Sequence, residues 1–301
     1  MTLRLRLYLL VAGALAPMAV AAVVAALLLL DHERDTIERD ALGRARAAMS
    51  AVDAHLRGSI AALETLAASK SLAAGNIRAF HAESQLVLRT QPAWVNIGLA
   101  SAAKIQLSNA VYNFGKPEPF TTADDSSFNA VVLGARPAVG NVAAGTAVQR
   151  PTVRVRVPVS QKGEVRYVMS APLSLVQLAA VLEAQRLPEN WVISLVDREK
   201  RVIVRIPAVP AGVPASDSFR EAIEREPEGW FHGRTMEGRS TYAAYVTSEL
   251  SGWVLGVAIP ESVVEAGAQR SFTILAAGLV AALAAGLLLA GLIARRSAPP
   301  A

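Results

Sequence analysis

Trp191-Val192-Ile193-Ser194-Leu195-Val196-Asp197 is an apolar run, Arg198-Glu199-Lys200 is a polar break, and Arg201-Val202-Ile203-Val204-Arg205 is apolar again. Val- and Ile-rich runs of this length make strands, and a short polar break between them folds the second back on the first as a hairpin. A Pro/Gly-rich loop follows from Pro207 to Pro214. Residues 218–226 then have helical character, and three further strands are predicted at 229–234, 240–246 and 252–259. A hairpin, a helix and three strands in that order make a small α+β unit.

The same order occurs once before it. Ala93-Trp94-Val95-Asn96-Ile97-Gly98-Leu99 alternates as a half-buried strand, and 105–114 is the next, closed by Gly115-Lys116-Pro117. Residues 128–133 predict a short helix. Thr152-Val153-Arg154-Val155-Arg156-Val157 gives the clearest alternation in the chain, with valines on one face and Thr152, Arg154 and Arg156 on the other. Gln161-Lys162-Gly163-Glu164 is a turn, 165–171 pairs back, and 173–185 is an amphipathic helix. The boundary between the two units falls near Leu187-Pro188. Ahead of both, apolar positions at Ile37, Ala41, Ala45, Met49, Val52, Leu56, Ile60, Leu63 and Leu66 form one stripe of a long helix that runs toward Gly75. A second amphipathic helix over 77–89 ends before Gln91-Pro92.

Both ends of the chain are different in kind. Leu7 to Leu30 and Phe272 to Ala294 carry no charge. Each is roughly 23 residues, enough for a bilayer core of about 30 Å. The first run exceeds the ~7–15 apolar residues of a cleaved leader, so it reads as a retained span. Arg4 and Arg6 precede the first run, and Arg295 and Arg296 follow the second. Basic flanks stay on the cytoplasmic side, which puts both termini inside and the region between them outside. The expected layout is a cytoplasmic start at 1–6, spans at 7–30 and 271–294, a stalk helix region at 31–90, units at 91–187 and 188–268, and a cytoplasmic tail at 295–301.

Composition excludes several classes. The net charge is +5, yet no basic run with interleaved aromatics suggests a nucleic-acid groove. There is no cysteine, so disulfides, thiol catalysis and cysteine metal sites are absent. His32, His55, His81 and His232 are scattered without metal-ligand spacing. Asp124-Asp125 reads as a solvated turn. No nucleophile elbow, phosphate loop or HExxH is present, so no enzyme, cofactor or metal is expected.

The whole arrangement resembles the double Cache family of bacterial extracytoplasmic sensors. The segment Ile193 to Ile203 looks like the strand–turn–strand opening of a PAS-like unit, and Gly252-Trp253-Val254-Leu255-Gly256-Val257-Ala258-Ile259-Pro260 like its closing strand. Trp94 to Leu99 fits the opening strand of the first unit, although Ser101-Ala102-Ala103-Lys104 replaces the usual acidic-and-glycine turn. The resemblance implies an α+β fold: a long N-terminal stalk helix plus two tandem PAS-like antiparallel-sheet units, flanked by two transmembrane helices. It also implies an inner-membrane receptor, dimeric through the stalk, whose first unit binds a small molecule and whose second passes a movement to the C-terminal span. The output is expected outside these residues, most like that of a sensor histidine kinase. Chemoreceptor or cyclase input, or a non-enzymatic module recognising a periplasmic protein, are the alternatives.

A ligand site on a PAS-like sheet needs polar groups converging over an apolar floor. The first unit supplies Trp94, Asn96, Tyr112, Asn113, Asn141, Arg154, Arg156, Tyr167 and Ser170. A guanidinium on the Arg154–Arg156 face could grip an organic anion in fork geometry. Alternation alone leaves open whether that face is covered or solvated. The amino-acid-binding pattern of the family is not matched.

Overall fold

A computed structural model of the chain describes residues 3–115, 118–119, 124–144 and 150–296, with many side chains of the two terminal helices outside that set. It divides into two compact units, Ala41–Ile259 and a second made of Met1–Asp40 with Pro260–Ala301. Apart from Pro260, the last residue of a strand, the described residues of the second unit are helical. The predicted spans at 7–30 and 271–294 fall there, on residues whose side chains lie largely outside the described set. Among the described residues no helix is long and apolar enough to cross a membrane.

The larger unit begins within helix α1 (Leu3–Ala67). From Ala41 onward its buried apolar positions are Ala41, Ala45, Ala48, Met49, Val52, Leu56, Leu63 and Leu66, which follow the stripe read from the sequence. The helix does not run on to Gly75 as predicted. It ends at Ala67, where Ser69 turns its side chain to accept from the Leu72 amide at 3.2 Å and starts the four-residue α2 (Lys70–Ala73). A serine that satisfies a fresh helix start competes with continuing the old one. Helix α3 (Ile77–Thr90) follows, capped by Asn76.

The first sheet comprises β1 (Gly98–Ser101), β2 (Ile105–Asn109), β3 (Glu118–Pro119), then after α4 (Asp125–Gly134) the short β4 (Ala138–Val139) and β5 (Ala143–Ala144), and the long hairpin β6 (Pro151–Gln161) and β7 (Glu164–Leu173). Its order is β3-β2-β1-β7-β6-β4, with β5 also on β6. Lys162 and Gly163, both at positive φ, make the tight turn between β6 and β7. The strand predicted from Ala93 starts only at Gly98. Asn96 Oδ1 accepts from the Ile97 amide at 2.7 Å, which takes that N–H out of the ladder, and Trp94 keeps one isolated bridge to Leu173.

Helix α5 (Leu175–Glu183) leads to the second sheet: β8 (Val192–Val196), β9 (Val202–Ile206), α6 (Asp217–Ala222), β10 (Glu228–Arg234), β11 (Ser240–Thr247) and β12 (Val254–Pro260). Its order is β10-β11-β12-β8-β9. Leaving out β3 and β5, both sheets run second–first–fifth–fourth–third strand, so one topology is built twice, as the repeated sequence order requires. Helix α7 (Glu261–Arg296) starts where β12 ends.

Helix α1 is tied to both sheets. The Trp94 indole N–H donates to Ser59 Oγ at 3.2 Å, Ser248 Oγ–H donates to Asp53 Oδ1 at 2.6 Å, and Arg46 pairs with Glu228.

Candidate functional site

The two faces of the first sheet separate cleanly. Val153 pairs with Leu173, Leu173 bridges to Trp94, and Trp94 reaches α1, so the valine face of β6 is the α1 side. The opposite face carries Arg154 and Arg156 from β6, with Val168 and Ser170 from β7 and Gly98 and Ala100 from β1 in register beside them. Helix α4 covers this face: Phe128 and Val131 pack on Ala100 and Val168. The arginines therefore lie under a helix, not in solvent. Arg154 is 7% exposed and Arg156 0%.

The two guanidinium groups are in opposite states. Arg156 is held on every side. Its Nε donates to Ser127 Oγ at 2.8 Å, Nη1 to Ser170 Oγ at 2.9 Å and Nη2 to the Asp124 carbonyl at 3.2 Å, and the group lies 5.5 Å from the Phe128 ring centroid. Burial brings its pKa down to about 10, a fall that Asp124 opposes, so it stays charged at neutral pH. Arg154 is also pushed down by burial and supported by Asp124, but its Nη1 is buried with no hydrogen-bond partner. Thr152 Oγ1 and Asn141 Oδ1 are buried and unpaired as well. Unpaired buried polar groups are costly, and the charged Arg154 donor among them calls for a reason.

Asp124 is the counter-charge, and it corrects the expectation of a solvated acidic turn. It is buried, caps α4 by accepting from the Ser127 amide at 3.4 Å, and accepts from the Ser126 and Ser127 hydroxyls at 2.8 and 2.5 Å. Only Asp125 is exposed. Gly140 makes room for it: a Cβ there would lie 2.0 Å from Asp124 Oδ2.

Of the nine residues read from the sequence, Arg154, Arg156 and Ser170 share this covered face. Asn96 is buried at its edge, its Oδ1 spent on Ile97. Asn141 is buried between the two sheets, with Nδ2 donating to Glu199 Oε1 at 3.0 Å. Trp94 and Tyr167 are not part of it. Both belong to the α1 side, Tyr167 in register with Val159 and under the Arg166 guanidinium. Tyr112 and Asn113 lie past the end of β2 and line a separate cavity of about 220 Å³ with His81, Ser108, Asn109 and Phe114. Asp124, Ser127, Phe128 and Gly140 were missed. Asp124-Asp125-Ser126-Ser127 ahead of an apolar run carries a capping signal for the first two; nothing local marks Gly140.

The second sheet has its own small cavity of about 40 Å³ beneath Phe219 and Phe231. That is room for a few waters. Its buried Arg205 is fully engaged, with Nη2 on Glu237 Oε2 at 2.7 Å and Nη1 on the Pro207 carbonyl at 2.9 Å. Among the described residues no cluster of His, Asp and Glu could hold a metal.

Two tandem sheets of one topology behind a long helix are the double Cache fold. Neither family models nor curated protein sequences give a match to the chain. Solved structures do. The ligand-binding domain of the Pseudomonas aeruginosa PAO1 amino acid chemoreceptor PctB, in complex with L-Arg, is similar at 16% identity and a TM-score of 0.57, over 76% of this chain and 97% of that one. The sensor domain of the Vibrio cholerae histidine kinase DctB is similar at 12% identity and 0.55, over 75% and 98%. The sensory domain of the Campylobacter jejuni chemoreceptor Tlp3, with isoleucine bound, is similar at 10% identity and 0.55, over 78% and 97%.

Proposed function

We propose that the chain is the input part of a membrane receptor of the sensor histidine kinase type. The uncharged runs at 7–30 and 271–294 anchor it in the inner membrane, with both termini cytoplasmic and Ala41–Ile259 outside. Two copies pair through α1, whose exposed Ala47, Ala54 and Ala61 suit close helix packing. The first sheet binds a small molecule bearing one anionic group, and the second passes the change to α7. Catalysis belongs to an output module and not to these residues.

The observation that carries the ligand assignment is Arg154. A guanidinium nine-tenths buried, with an unpaired Nη1, on the covered face of a PAS-like sheet, is a site built for an anion the chain does not supply. Arg156 has no such capacity, so a single anionic group fits better than two. PctB and Tlp3 bind amino acids in this fold, which supports a small-molecule ligand here.

The test is thermal unfolding of the full chain in detergent against a panel of small organic acids. Binding only the native state at a hundredfold excess over Kd adds about 2.7 kcal/mol. At ~2–4 °C per kcal/mol for a unit of this size, the midpoint should rise by roughly 5–11 °C. The rise should vanish in Arg154→Met. Equal shifts in both proteins would reject the site, and no shift with any acid would reject the ligand class.

A further inference from the structure

Among the described residues, hydrogen bonds join the two sheets at Gly140–Val142, between β4 and β5. The Trp253 indole N–H, fully buried, donates to the Gly140 carbonyl at 3.2 Å. The Val142 amide donates to Asp197 Oδ2 at 2.9 Å. Asn141 Nδ2 donates to Glu199 Oε1 at 3.0 Å. Three consecutive residues of the first half thus spend a carbonyl, a side chain and an amide on the second.

The same stretch is fixed to the arginine face. The Gly140 amide donates to the Arg154 carbonyl at 2.7 Å, and the absent Cβ of Gly140 is what lets the Asp124 carboxylate lie against it. Asp124 caps α4, and its carbonyl accepts from Arg156. A displacement of α4 or of Asp124 therefore has no slack before it reaches Gly140.

On the far side the key group is Asp197, 1% exposed. One oxygen accepts from the Glu199 and Arg201 amides, at 2.9 and 3.0 Å, and so closes the β8–β9 turn. The other belongs to Val142. A buried carboxylate whose two oxygens serve two sheets cannot follow one and stay behind with the other without leaving an oxygen unpaired. Trp253 stands just before β12, and β12 ends at Pro260 where α7 begins.

We infer that Gly140–Val142 is a clasp through which the arginine face of the first sheet controls the second, with Asp197 as the positioning residue that locks it. Its signalling meaning rests on the first sheet being the ligand-binding one; its existence does not, because coupling is reciprocal and can be read without ligand. The probe is amide hydrogen exchange of the full chain in detergent. Asp197→Asn keeps an oxygen for the β8–β9 turn and turns an N–H₂ against the Val142 N–H. It should speed exchange in 125–134 and 138–144 by about fivefold or more. Gly140→Ala, made in the first half, should speed exchange in 197–205 by a comparable factor, and the factor in the double variant should fall short of the product of the two single factors.

Confinement of each effect to its own sheet would overturn the clasp. If Asp197→Asn fails to fold, Trp253→Phe and Asn141→Ala each remove one bond of the clasp and leave Asp197 intact. Both should still change exchange across the junction, and local effects alone would again overturn it. An organic acid that stabilises the wild type should stabilise Asp197→Asn too, but should change exchange in 197–205 only in the wild type; a change of equal size in the variant counts against the clasp. Absence of any stabilising acid defeats the ligand assignment and leaves the ligand-free result standing.

Discussion

Replacing Arg156 and Arg154 one at a time by Met should give opposite results on the same face. Arg156→Met takes a donor from Ser127 Oγ, Ser170 Oγ and the Asp124 carbonyl, and removes a cation that attracts the buried Asp124. Breaking a buried charged network from one side costs about 3–5 kcal/mol. The compact unit runs from Ala41 to Ile259, for which that is a fall of roughly 6–20 °C in the unfolding midpoint. Arg154→Met removes a charge that burial disfavours and an Nη1 that binds nothing. Its loss should be neutral or stabilising by about 1 kcal/mol, since the desolvation of this guanidinium outweighs its attraction to Asp124 and an apolar chain relieves it. Urea unfolding followed by far-UV circular dichroism measures both. If Arg154→Met costs as much as Arg156→Met, Arg154 is a structural residue and the reasoning that assigns it to a ligand is wrong.

Trp94→Phe should cost about 1 kcal/mol through the lost bond to Ser59 and leave acid binding untouched, because Trp94 faces α1; weakened binding in a titration would move the site to the other face. Burial raises the Asp197 pKa above its ordinary 3.8 against three amide donations. A raised folded pKa means a contribution fully present below the unfolded value and lost as pH rises through the folded one. The stability gap between wild type and Asp197→Asn in urea should therefore be wider at pH 4 than at pH 7, and a gap that widens with pH contradicts the assignment. His55 behaves in the opposite sense: burial lowers its pKa, so its contribution is present above the unfolded value and lost as pH falls through the folded one. His55→Phe should flatten the stability profile between pH 7 and pH 5, and an unchanged slope in the same unfolding series would exclude His55 as its source.

Much of the architecture is legible because it is periodic. The α1 stripe is buried at its own period, while β6 and the Trp191–Arg205 hairpin are buried on both faces, so there the alternation gives which side chains share a face and not which face is covered. The β-breaks were not legible. Asn96 leaves the ladder through a hydrogen bond to its neighbour, and Ser69 ends α1 with a cap, both single side-chain choices that periodicity averages away. The site was half legible for the same reason. Alternation put Arg154 and Arg156 on one face but could not say that α4 returns to cover it. The different fates of the two arginines depend on Asp124 and Ser127, some thirty positions earlier, and on the missing Cβ of Gly140. Trp94 and Tyr167 are aromatic and buried as a ligand cage would be, yet the parity of their strands turns them toward α1.

The most direct measurement is a crystal structure of the chain with the organic acid that raises its unfolding midpoint most. An anionic oxygen should lie within about 2.7–3.2 Å of Arg154 Nη1, under α4, with the Arg156 contacts to Ser127 and Ser170 unbroken. Density for the acid in the cavity beside His81 and Tyr112, or against Arg205 in the second sheet, would contradict it.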